Sequence, residues 1–384
     1  MEKTIAILGA TGSVGTQTLG VARARGYKVD FLSAGKNYKA AERACREFGP
    51  SVVAMADENA ARELRVCLAD TDIKVLSGKG GIEEGIHSSE SDTVVNSILG
   101  CAGLLPSLAV IDAKKRLALA NKESLVVAGD IVMNRAREAS VEIIPVDSEH
   151  SAIFQSLKSG RSSELSRIIL TASGGPFFGY TRDQLERVTK ADTLRHPTWK
   201  MGEKITVDSA TLMNKGFEII EAAHLFDVSA DKISVVVHRE SILHSAVEYI
   251  DKSIIGEFSV PDMRMCIQYA VDYPERAAGE SETLDFAKIG KLTFFEPDTE
   301  AFPLLSLAGR CVKAGGALPA VLNAADEVAV EAFLGETLSF VGISDVVERV
   351  CRALESSAVK ETTLEGILAL DKEARALASS YLKR

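Results

Sequence analysis

The sequence predicts an α/β fold whose N-terminal part is a parallel β-sheet flanked by helices. Three observations support this prediction. Short apolar runs alternate with helix-like segments up to about residue 147, a glycine-rich turn directly follows the first apolar run, and the C-terminal part is rich in Ala, Leu, Glu and Val at helical spacing. Such alternation is typical of βαβ units, because parallel strands need long crossover connections.

The first elements can be placed one after another along the chain. Residues 5–8 predict a short buried strand, residues 14–25 a helix and residues 28–32 a second strand. The alternation of strands and helices continues with a predicted helix at 38–48 and predicted strands at 52–55, 93–96 and 117–120. A strand-like apolar run at 141–144 closes this part, which we take as a domain of residues 1–147.

The rest of the chain divides into two further parts joined by a linker. Strands are predicted among long loops at 168–170, 233–238 and 242–249. They indicate a second sheet and an α+β domain of residues 148–272. Residues 273–298 are polar and irregular and read as a linker, and residues 299–384 predict a small helical domain.

Composition excludes several classes of protein. The 384 residues are 46% hydrophobic and 26% charged, which is typical of a soluble globular chain, and the net charge of −10 without a basic run argues against nucleic acid as a partner. No apolar stretch reaches transmembrane length, and the start has no room for a signal peptide. Six scattered cysteines without a C-x-x-C pair indicate a reducing compartment, so we expect a cytoplasmic protein.

The glycine-rich turn is Gly9-Ala10-Thr11-Gly12-Ser13-Val14-Gly15. Glycines allow a tight turn and let backbone N–H groups approach a pyrophosphate at a helix N terminus. Its position between the first strand and the first helix predicts a dinucleotide site in a Rossmann-like domain. A turn required only for packing is the alternative.

The segment after the second strand indicates which dinucleotide binds. An NAD site usually has an acid at this place, whereas this chain has Gly35-Lys36-Asn37, and Asp30 comes too early for the role. A lysine favours the 2′-phosphate of NADP. An exposed lysine in a turn, without a coenzyme role, is the alternative.

The stretch Pro145-Val146-Asp147-Ser148-Glu149-His150 places two carboxylates directly after an apolar run. If the chain is still extended here, residues two apart point to the same side, so Asp147 and Glu149 would converge. A bound cation is one way to relieve the repulsion of two such charges. An acidic strand end in solvent remains the other interpretation.

Three further stretches have the chemistry of a binding site. Asn121-Lys122-Glu123 follows a predicted strand, where open α/β sheets bind ligands, and Ser173-Gly174-Gly175 is a small-residue loop suited to a phosphate. Residues 209–221 read largely as helix, with Asn214, Glu218 and Glu221 on one face. That face is either part of the site or a solvated amphipathic surface.

With these stretches the chain resembles the 1-deoxy-D-xylulose 5-phosphate reductoisomerase family nearly from end to end. The matching motifs are GATGSVG, AGKN, GLLPSLAVI, LANKESLV, PVDSEHSAIFQ, TASGGPF, RHPTWKMG, ITVDSATLMNKGFE, VPDMR and LNAADEVAV. The resemblance implies a Rossmann-like coenzyme domain, a central α+β catalytic domain and a C-terminal helical domain. It also implies a homodimer that binds a small sugar phosphate.

The implied activity is an NADPH-dependent and metal-dependent rearrangement and reduction of 1-deoxy-D-xylulose 5-phosphate to 2-C-methyl-D-erythritol 4-phosphate, in the non-mevalonate route to isoprenoid precursors. The metal would be Mn²⁺ or Mg²⁺, with Co²⁺ as a third candidate. Oxygen-only ligands suit such cations and argue against structural zinc.

The resemblance assigns roles to individual residues. The implied metal ligands are Asp147, Glu149 and Glu218. The implied catalytic residues are Lys122, Glu149 and His196. The implied substrate contacts are Lys122, Ser148, Glu149, Ser173, His196, Trp199, Ser209, Asn214, Lys215 and Glu218. The implied coenzyme contacts are Thr11, Gly12, Ser13, Val14, Gly35, Lys36, Asn37, Asn121, Glu123 and Gly202.

The segment at about 194–203 carries Trp199, the only tryptophan of the chain, between Pro197 and Gly202. The resemblance implies a mobile lid in which His196 reaches the substrate and Trp199 excludes water. A loop anchor buried against the sheet is the alternative.

The sequence departs from the usual family motifs at two places. His238-Arg239-Glu240-Ser241 replaces the more usual H-P-Q-S, and Asp326 stands where N-A-A-N-E is usual. Neither is a predicted ligand position.

Two other functions are alternatives. A semialdehyde dehydrogenase would need a catalytic cysteine, and none of the six cysteines lies in a setting typical of a nucleophile. An NADP-sensing protein would not need converging carboxylates and a phosphate loop.

Overall fold

The computed structural model describes residues 3–199 and 201–382, which form two compact units. The first comprises Met1–Ser124, Val132–Ser151 and Asp262–Glu282, and the second comprises Leu125–Ile131, Ala152–Pro261 and Thr283–Arg384. These boundaries reflect compactness and say nothing of function. The predicted domains 1–147, 148–272 and 299–384 and the linker therefore stay predictions.

A seven-stranded sheet forms the centre of the first unit. Its strands are β1 (Thr4–Leu8), β2 (Lys28–Ala34), β3 (Val52–Met55), β4 (Lys74–Ser77), β5 (Thr93–Asn96), β6 (Arg116–Leu119) and β7 (Ile143–Pro145). They lie in the order β4-β3-β2-β1-β5-β6-β7, and their pairings are parallel. The predicted parallel sheet is confirmed. The strand order reverses between β1 and β5, where open α/β sheets bind ligands beyond the carboxyl ends of the strands.

The helices of the first unit begin and end where the local chemistry requires. They are α1 (Ser13–Arg25), α2 (Tyr38–Phe48), α3 (Glu58–Cys67), α4 (Gly78–Ser88), α5 (Leu104–Asp112) and α12 (Met263–Asp272), and two more that begin in this unit are α6 (Glu123–Ala139) and α7 (Ser148–Ser156). The side chains of Asn37 and Asp57 accept backbone N–H groups and cap α2 and α3. Gly26 and Gly49 end α1 and α2 in the left-handed conformation.

A four-stranded sheet organises the second unit. Its strands are β8 (Leu165–Ala172), β9 (Ile233–Val237), β10 (Leu243–Tyr249) and β11 (Ile254–Phe258). They lie in the order β11-β10-β8-β9, with β8 and β9 parallel and the other pairs antiparallel. This mixed sheet confirms the α+β prediction for the middle of the chain.

The C-terminal helices complete the second unit. Its helices are α8 (Arg182–Leu185), α9 (Lys190–Thr193), α10 (Glu203–Ala210), α11 (Met213–Leu225), α13 (Phe286–Ile289), α14 (Pro303–Ala314), α15 (Leu318–Leu334), α16 (Phe340–Ala358) and α17 (Leu364–Tyr381). The largely buried α15 packs against α16 and α17, which confirms the predicted helical C-terminal part. Within residues 3–199 and 201–382, no helix is long and apolar enough to cross a membrane.

Candidate active site

The glycine turn at the end of β1 has the shape that a dinucleotide needs. Gly9 has a φ of +78°, and a Cβ there would lie 2.8 Å from the Ser97 carbonyl oxygen. A Cβ at Gly15 would lie 2.2 Å from the Gly9 oxygen. Gly12 precedes α1 without any side-chain cap, so the N terminus of this 13-residue helix is open to an anion. These features fit a bound pyrophosphate.

The end of β2 lies beside this turn. The Ala10 N–H donates to the Ser33 oxygen at 2.8 Å, which brings the exposed Gly35, Lys36 and Asn37 to the same edge of the sheet. Asp30 is buried inside β2, where it accepts from the Ser51 hydroxyl at 2.9 Å and from a backbone N–H at 2.7 Å. Asp30 therefore cannot act as the acid of an NAD site, which agrees with the expectation that it comes too early in the sequence for that role.

The predicted coenzyme contact Asn121 follows β6 and is already engaged in the fold. Its Nδ2 donates to the oxygens of Ile98 and Gly100 at 2.6 and 2.9 Å and to Glu123 Oε2 at 3.0 Å. Its Oδ1 accepts the Ser124 N–H at 3.0 Å. This side chain holds the loop after β5, so any coenzyme contact at Asn121 would use its backbone.

Asp147 follows β7 and is nearly surrounded by cationic or protonatable groups. The Lys122 Nζ lies 2.5 Å from Asp147 Oδ2, and the Nδ1 of His150 lies 3.5 Å from Oδ1. Burial alone would raise the pKa of Asp147, but Lys122 and His150 outweigh it and hold the pKa well below its usual range. Asp147 is therefore an ionised carboxylate inside the protein.

The interpretation of Asp147 and Glu149 as alternating strand residues is wrong. β7 ends at Pro145 and α7 begins at Ser148, so Glu149 lies in the first turn of a helix. The Asp147 side chain accepts the Glu149 N–H at 3.3 Å, and the Ser148 hydroxyl donates to Glu149 Oε2 at 2.6 Å. Asp147 thus caps the helix in whose first turn Glu149 lies. Strand alternation does not place them together.

In the second unit, α11 presents the predicted polar face. Asn214 Nδ2 donates to Glu218 Oε1 at 2.5 Å, and the buried Lys215 pairs with the other oxygen of Glu218. Glu221, one turn further, is buried on the same helix. The alternative of a solvated amphipathic face is therefore excluded for Lys215, Glu218 and Glu221.

Ser173, His196 and Ser209 converge in the second unit. His196 Nε2 lies 3.0 Å from the Ser173 hydroxyl and 3.1 Å from the Ser209 hydroxyl. The Nδ1 atom accepts the backbone N–H groups of Thr198 and Trp199 at 3.3 and 2.9 Å. In its neutral form the ring therefore carries its proton on Nε2, which faces the two hydroxyls. Two hydroxyls and a ring N–H can bind phosphate oxygens.

The predicted lid at about 194–203 is described except for Lys200, which lies outside the described residues. The half-buried Trp199 packs edge-on to His244, with 6.0 Å between ring centroids. The exposed Gly202 precedes α10, where its oxygen accepts the Thr206 hydroxyl at 2.8 Å. The contact with His244 is compatible with both the lid and the anchor interpretations.

Arg239 is a residue at this site that the sequence did not identify. Its Nη1 donates to the carbonyl oxygens of Ser173 and Gly175. The only signal in the sequence was that Arg239 departs from the usual family motif. That departure did not indicate which residues Arg239 contacts, because residues 66 apart in the sequence meet only through the pairing of β8 with β9.

The donor set suits a hard divalent cation. The candidate ligands Asp147, Glu149 and Glu218 offer only carboxylate oxygens, which Mg²⁺ and Mn²⁺ prefer. Asp147 and Glu218 are buried or nearly so, and each lies against a lysine, so both positions already require a positive charge. The residues present therefore fit a metal. Asp147 and Glu149 belong to the first unit and Glu218 to the second.

Three family models match consecutive parts of the chain. They are described as 1-deoxy-D-xylulose 5-phosphate reductoisomerase for residues 5–129, as its C-terminal domain for residues 143–226, and as DXP reductoisomerase C-terminal domain for residues 258–377. The chain belongs to this family. The resemblance inferred from the motifs is thereby confirmed.

Relatives and solved structures of the reductoisomerase family cover almost the whole chain. The enzymes of that name from Caldanaerobacter subterraneus subsp. tengcongensis and Acetivibrio thermocellus are each 50% identical, over 97% and 100% of both chains. The Zymomonas mobilis enzyme in complex with NADPH is 39% identical with a TM-score of 0.92, covering 100% of this chain and 99% of that one. A DOX-P reductoisomerase in complex with NADPH, fosmidomycin and magnesium is 37% identical with a TM-score of 0.94, covering 99% and 98%.

Proposed function

We propose that this chain converts 1-deoxy-D-xylulose 5-phosphate to 2-C-methyl-D-erythritol 4-phosphate with NADPH and Mg²⁺ or Mn²⁺, in the route to isoprenoid precursors. Membership of the reductoisomerase family along the whole chain carries the proposal. The structure supports it with a glycine turn suited to a dinucleotide and with an ionised Asp147 beside Lys122.

In this proposal each group of residues has a separate task. Ser173, Ser209, Asn214, Lys215 and His196 hold the phosphate, which is remote from the reacting carbons and supplies orientation. Ser148 and Trp199 also contact the substrate. The coenzyme lies against Thr11, Gly12, Ser13, Val14, Gly35, Lys36, Asn37, Asn121, Glu123 and Gly202.

The reaction breaks one carbon–carbon bond, forms another and reduces the resulting aldehyde with a hydride and a proton. Asp147, Glu149 and Glu218 would ligate the cation, which supplies Lewis acidity toward the substrate oxygens when bound. The Lys122 ammonium, held by Asp147, donates a hydrogen bond to the substrate and stabilises negative charge that develops there. NADPH supplies the hydride.

The decisive test is metal-dependent loss of NADPH absorbance with the sugar phosphate. Glu218→Gln keeps the shape and one oxygen but loses the charge, so we expect turnover to fall at least about a hundredfold. Mn²⁺ should raise the thermal midpoint of the wild type and not that of the variant, which checks the metal independently of turnover. Asp147→Asn should behave alike. Normal turnover of Glu218→Gln at trace Mn²⁺ would contradict the ligand assignment.

The assembly and the compartment are part of the same proposal. We infer a homodimer from the exposed Ile254, Ile255 and Phe258 on the edge strand β11, because an unpaired apolar edge favours another chain. Light scattering should give twice the chain mass.

We place the protein in the cytoplasm, since no disulfide joins its six cysteines.

A further inference from the structure

The loop Ser173-Gly174-Gly175 ends β8 in a conformation that strongly favours glycine. Gly174 and Gly175 have φ values of +76° and +62°. A Cβ at Gly175 would lie 2.8 Å from the Ser209 oxygen, and one at Gly174 would lie 2.8 Å from a Val237 methyl carbon. Turns of this kind create concave sites whose backbone N–H groups bind anions. The carbonyl oxygens of the same loop then need partners of their own.

Arg239 supplies those partners. Its Nη1 donates to the Ser173 oxygen at 2.5 Å and to the Gly175 oxygen at 2.7 Å. The guanidinium also lies over the ring of Phe178, 5.1 Å from its centroid. One cation therefore holds the two carbonyls on either side of Gly174.

The backbone that carries Arg239 is itself fixed. The His238 N–H donates to the Ala172 oxygen at 2.7 Å, next to the loop. The buried His238 ring accepts the N–H groups of Ile242 and Leu243 on Nε2, both at 3.2 Å, and stacks on Phe294 with 4.8 Å between centroids. A side chain anchored this way can determine the shape of the loop it binds.

We propose that Arg239 is a positioning residue for the phosphate group of the substrate. By fixing the carbonyls of Ser173 and Gly175, it keeps the loop in the shape in which the Ser173 hydroxyl faces His196 and Ser209, and it adds a positive charge beside the loop. The proposal rests on the proposed function, in which these side chains bind the phosphate. Arg239 affects how tightly phosphate binds and leaves hydride transfer unchanged.

The test compares Arg239→Met and Arg239→Lys with the control Arg187→Met. Arg187 lines the same cavity of about 720 Å³ as Arg239, but it is not among the described residues that donate to Ser173 or Gly175. For each variant, KM for the sugar phosphate, KM for NADPH, kcat and the competitive Ki of inorganic phosphate are measured.

We expect Arg239→Met to raise the sugar-phosphate KM and the phosphate Ki together, by about tenfold, because charge-assisted hydrogen bonds are lost. The kcat and the NADPH KM should stay within about twofold, since uniform binding alone is affected. Arg239→Lys, which keeps the charge and a donor, should recover part of the loss. Arg187→Met should match the wild type.

Other outcomes overturn the inference. An unchanged KM and Ki in Arg239→Met, or an equal change in Arg187→Met, would show that the contact with the loop does not govern phosphate binding. A parallel fall of kcat, NADPH affinity and thermal midpoint would show a purely structural role. If Arg239→Met does not fold, Arg239→Lys decides: a raised KM and Ki at normal kcat support the proposal, and unchanged values refute it.

Failure of the proposed function would be visible separately. In that case the wild type would not oxidise NADPH with the sugar phosphate. The affinity for inorganic phosphate can still be measured through the emission of Trp199 and compared between Arg239→Met and the wild type. Equal phosphate affinity in the two proteins would then refute the role of Arg239 by itself.

Discussion

Two acids of the candidate site, one buried and one nearly so, each lie beside a lysine. Asp147 is paired with Lys122, and Glu218 with Lys215. A buried charge without such a partner would cost several kcal/mol. In the proposed function, each of these lysines also donates a hydrogen bond to the substrate.

Residue types and family motifs predicted acids and lysines for the candidate site, and their roles stay predictions, but these patterns did not predict the contacts among them. Asp147 and Glu149 were expected to converge along a strand, whereas Glu149 lies in the first turn of a helix that begins at Ser148, directly after Asp147. Arg239 could not be found, because its contacts depend on the register of β8 against β9, which leaves no local pattern in the sequence. Tertiary pairing therefore limits prediction at this scale.

We propose that Lys36 determines the coenzyme preference. This residue is exposed at the end of β2 beside the glycine turn, and the acid that NAD sites use is absent there. We expect Lys36→Ala to raise the KM for NADPH by about tenfold or more, since an ion-paired hydrogen bond contributes roughly 1.5–3 kcal/mol. The KM for NADH should hardly change.

The matched control for Lys36 is Lys39→Ala, which removes an exposed lysine from the neighbouring helix α2. It should leave both coenzymes unaffected. An equal loss with NADPH and NADH in Lys36→Ala would refute a role in binding the 2′-phosphate.

At the scale of elements, sequence patterns predicted buried or amphipathic segments well and an exposed edge strand poorly. The helix at 38–48 and the strands at 52–55 and 93–96 occur with the predicted bounds, since each is a buried or amphipathic run between turn residues. β11 was missed. It is five residues long, contains Gly256 and is largely exposed at the edge of its sheet, so no apolar alternation marks it.

The segment around Trp199 is either a mobile lid or a loop anchor, and a substitution of Trp199 distinguishes the two. Trp199 is half-buried against His244, and its backbone N–H donates to His196 Nδ1, which links this segment to the side chain that faces Ser173 and Ser209. We expect Trp199→Ala to weaken turnover and binding of a phosphonate analogue by about tenfold, because water is no longer excluded. The thermal midpoint should remain nearly unchanged.

Since Trp199 is the only tryptophan, its emission reports directly on this segment. In the wild type the emission should change when the analogue binds with NADPH and metal. A large drop of the thermal midpoint in Trp199→Ala, or an emission that ignores saturating ligand, would identify Trp199 as an anchor and exclude the lid.

For the whole molecule, global charge and local charge have opposite signs. The chain carries a net charge of −10, yet cationic side chains lie at the proposed coenzyme and substrate sites, among them Lys36, Lys122, Lys215 and Arg239. The net charge argued against nucleic acid as a partner but could not locate an anion site, because that location depends on which cationic side chains the fold brings together. The fold also brings together two buried acids, Asp208 and Asp326.

A buried acid pair makes the stability of the protein depend on pH. Lys204 Nζ lies 2.6 Å from Asp208 Oδ2 and 3.0 Å from Asp326 Oδ2, and the Oδ1 atom of each acid has no hydrogen-bond partner among the described residues. Burial, followed by the charge of Asp326, raises the pKa of Asp208 to about 8, and burial raises the pKa of Asp326 as well. One lysine cannot neutralise both acids, so the folded protein retains a proton there.

The sign of the pH effect follows from these raised pKa values. Carboxyls of the unfolded chain titrate near pH 4, so the stabilising contribution of the retained proton is complete below about pH 4 and is lost as the pH rises through about 8. Asp326→Asn removes one acid and leaves Asp208 paired with Lys204. We expect its thermal midpoint to exceed that of the wild type by about 2–4 °C at pH 8 and by less at pH 5. The exposed Asp345→Asn serves as control and should leave the pH profile unchanged, whereas parallel profiles of Asp326→Asn and wild type would show that the pair holds no extra proton.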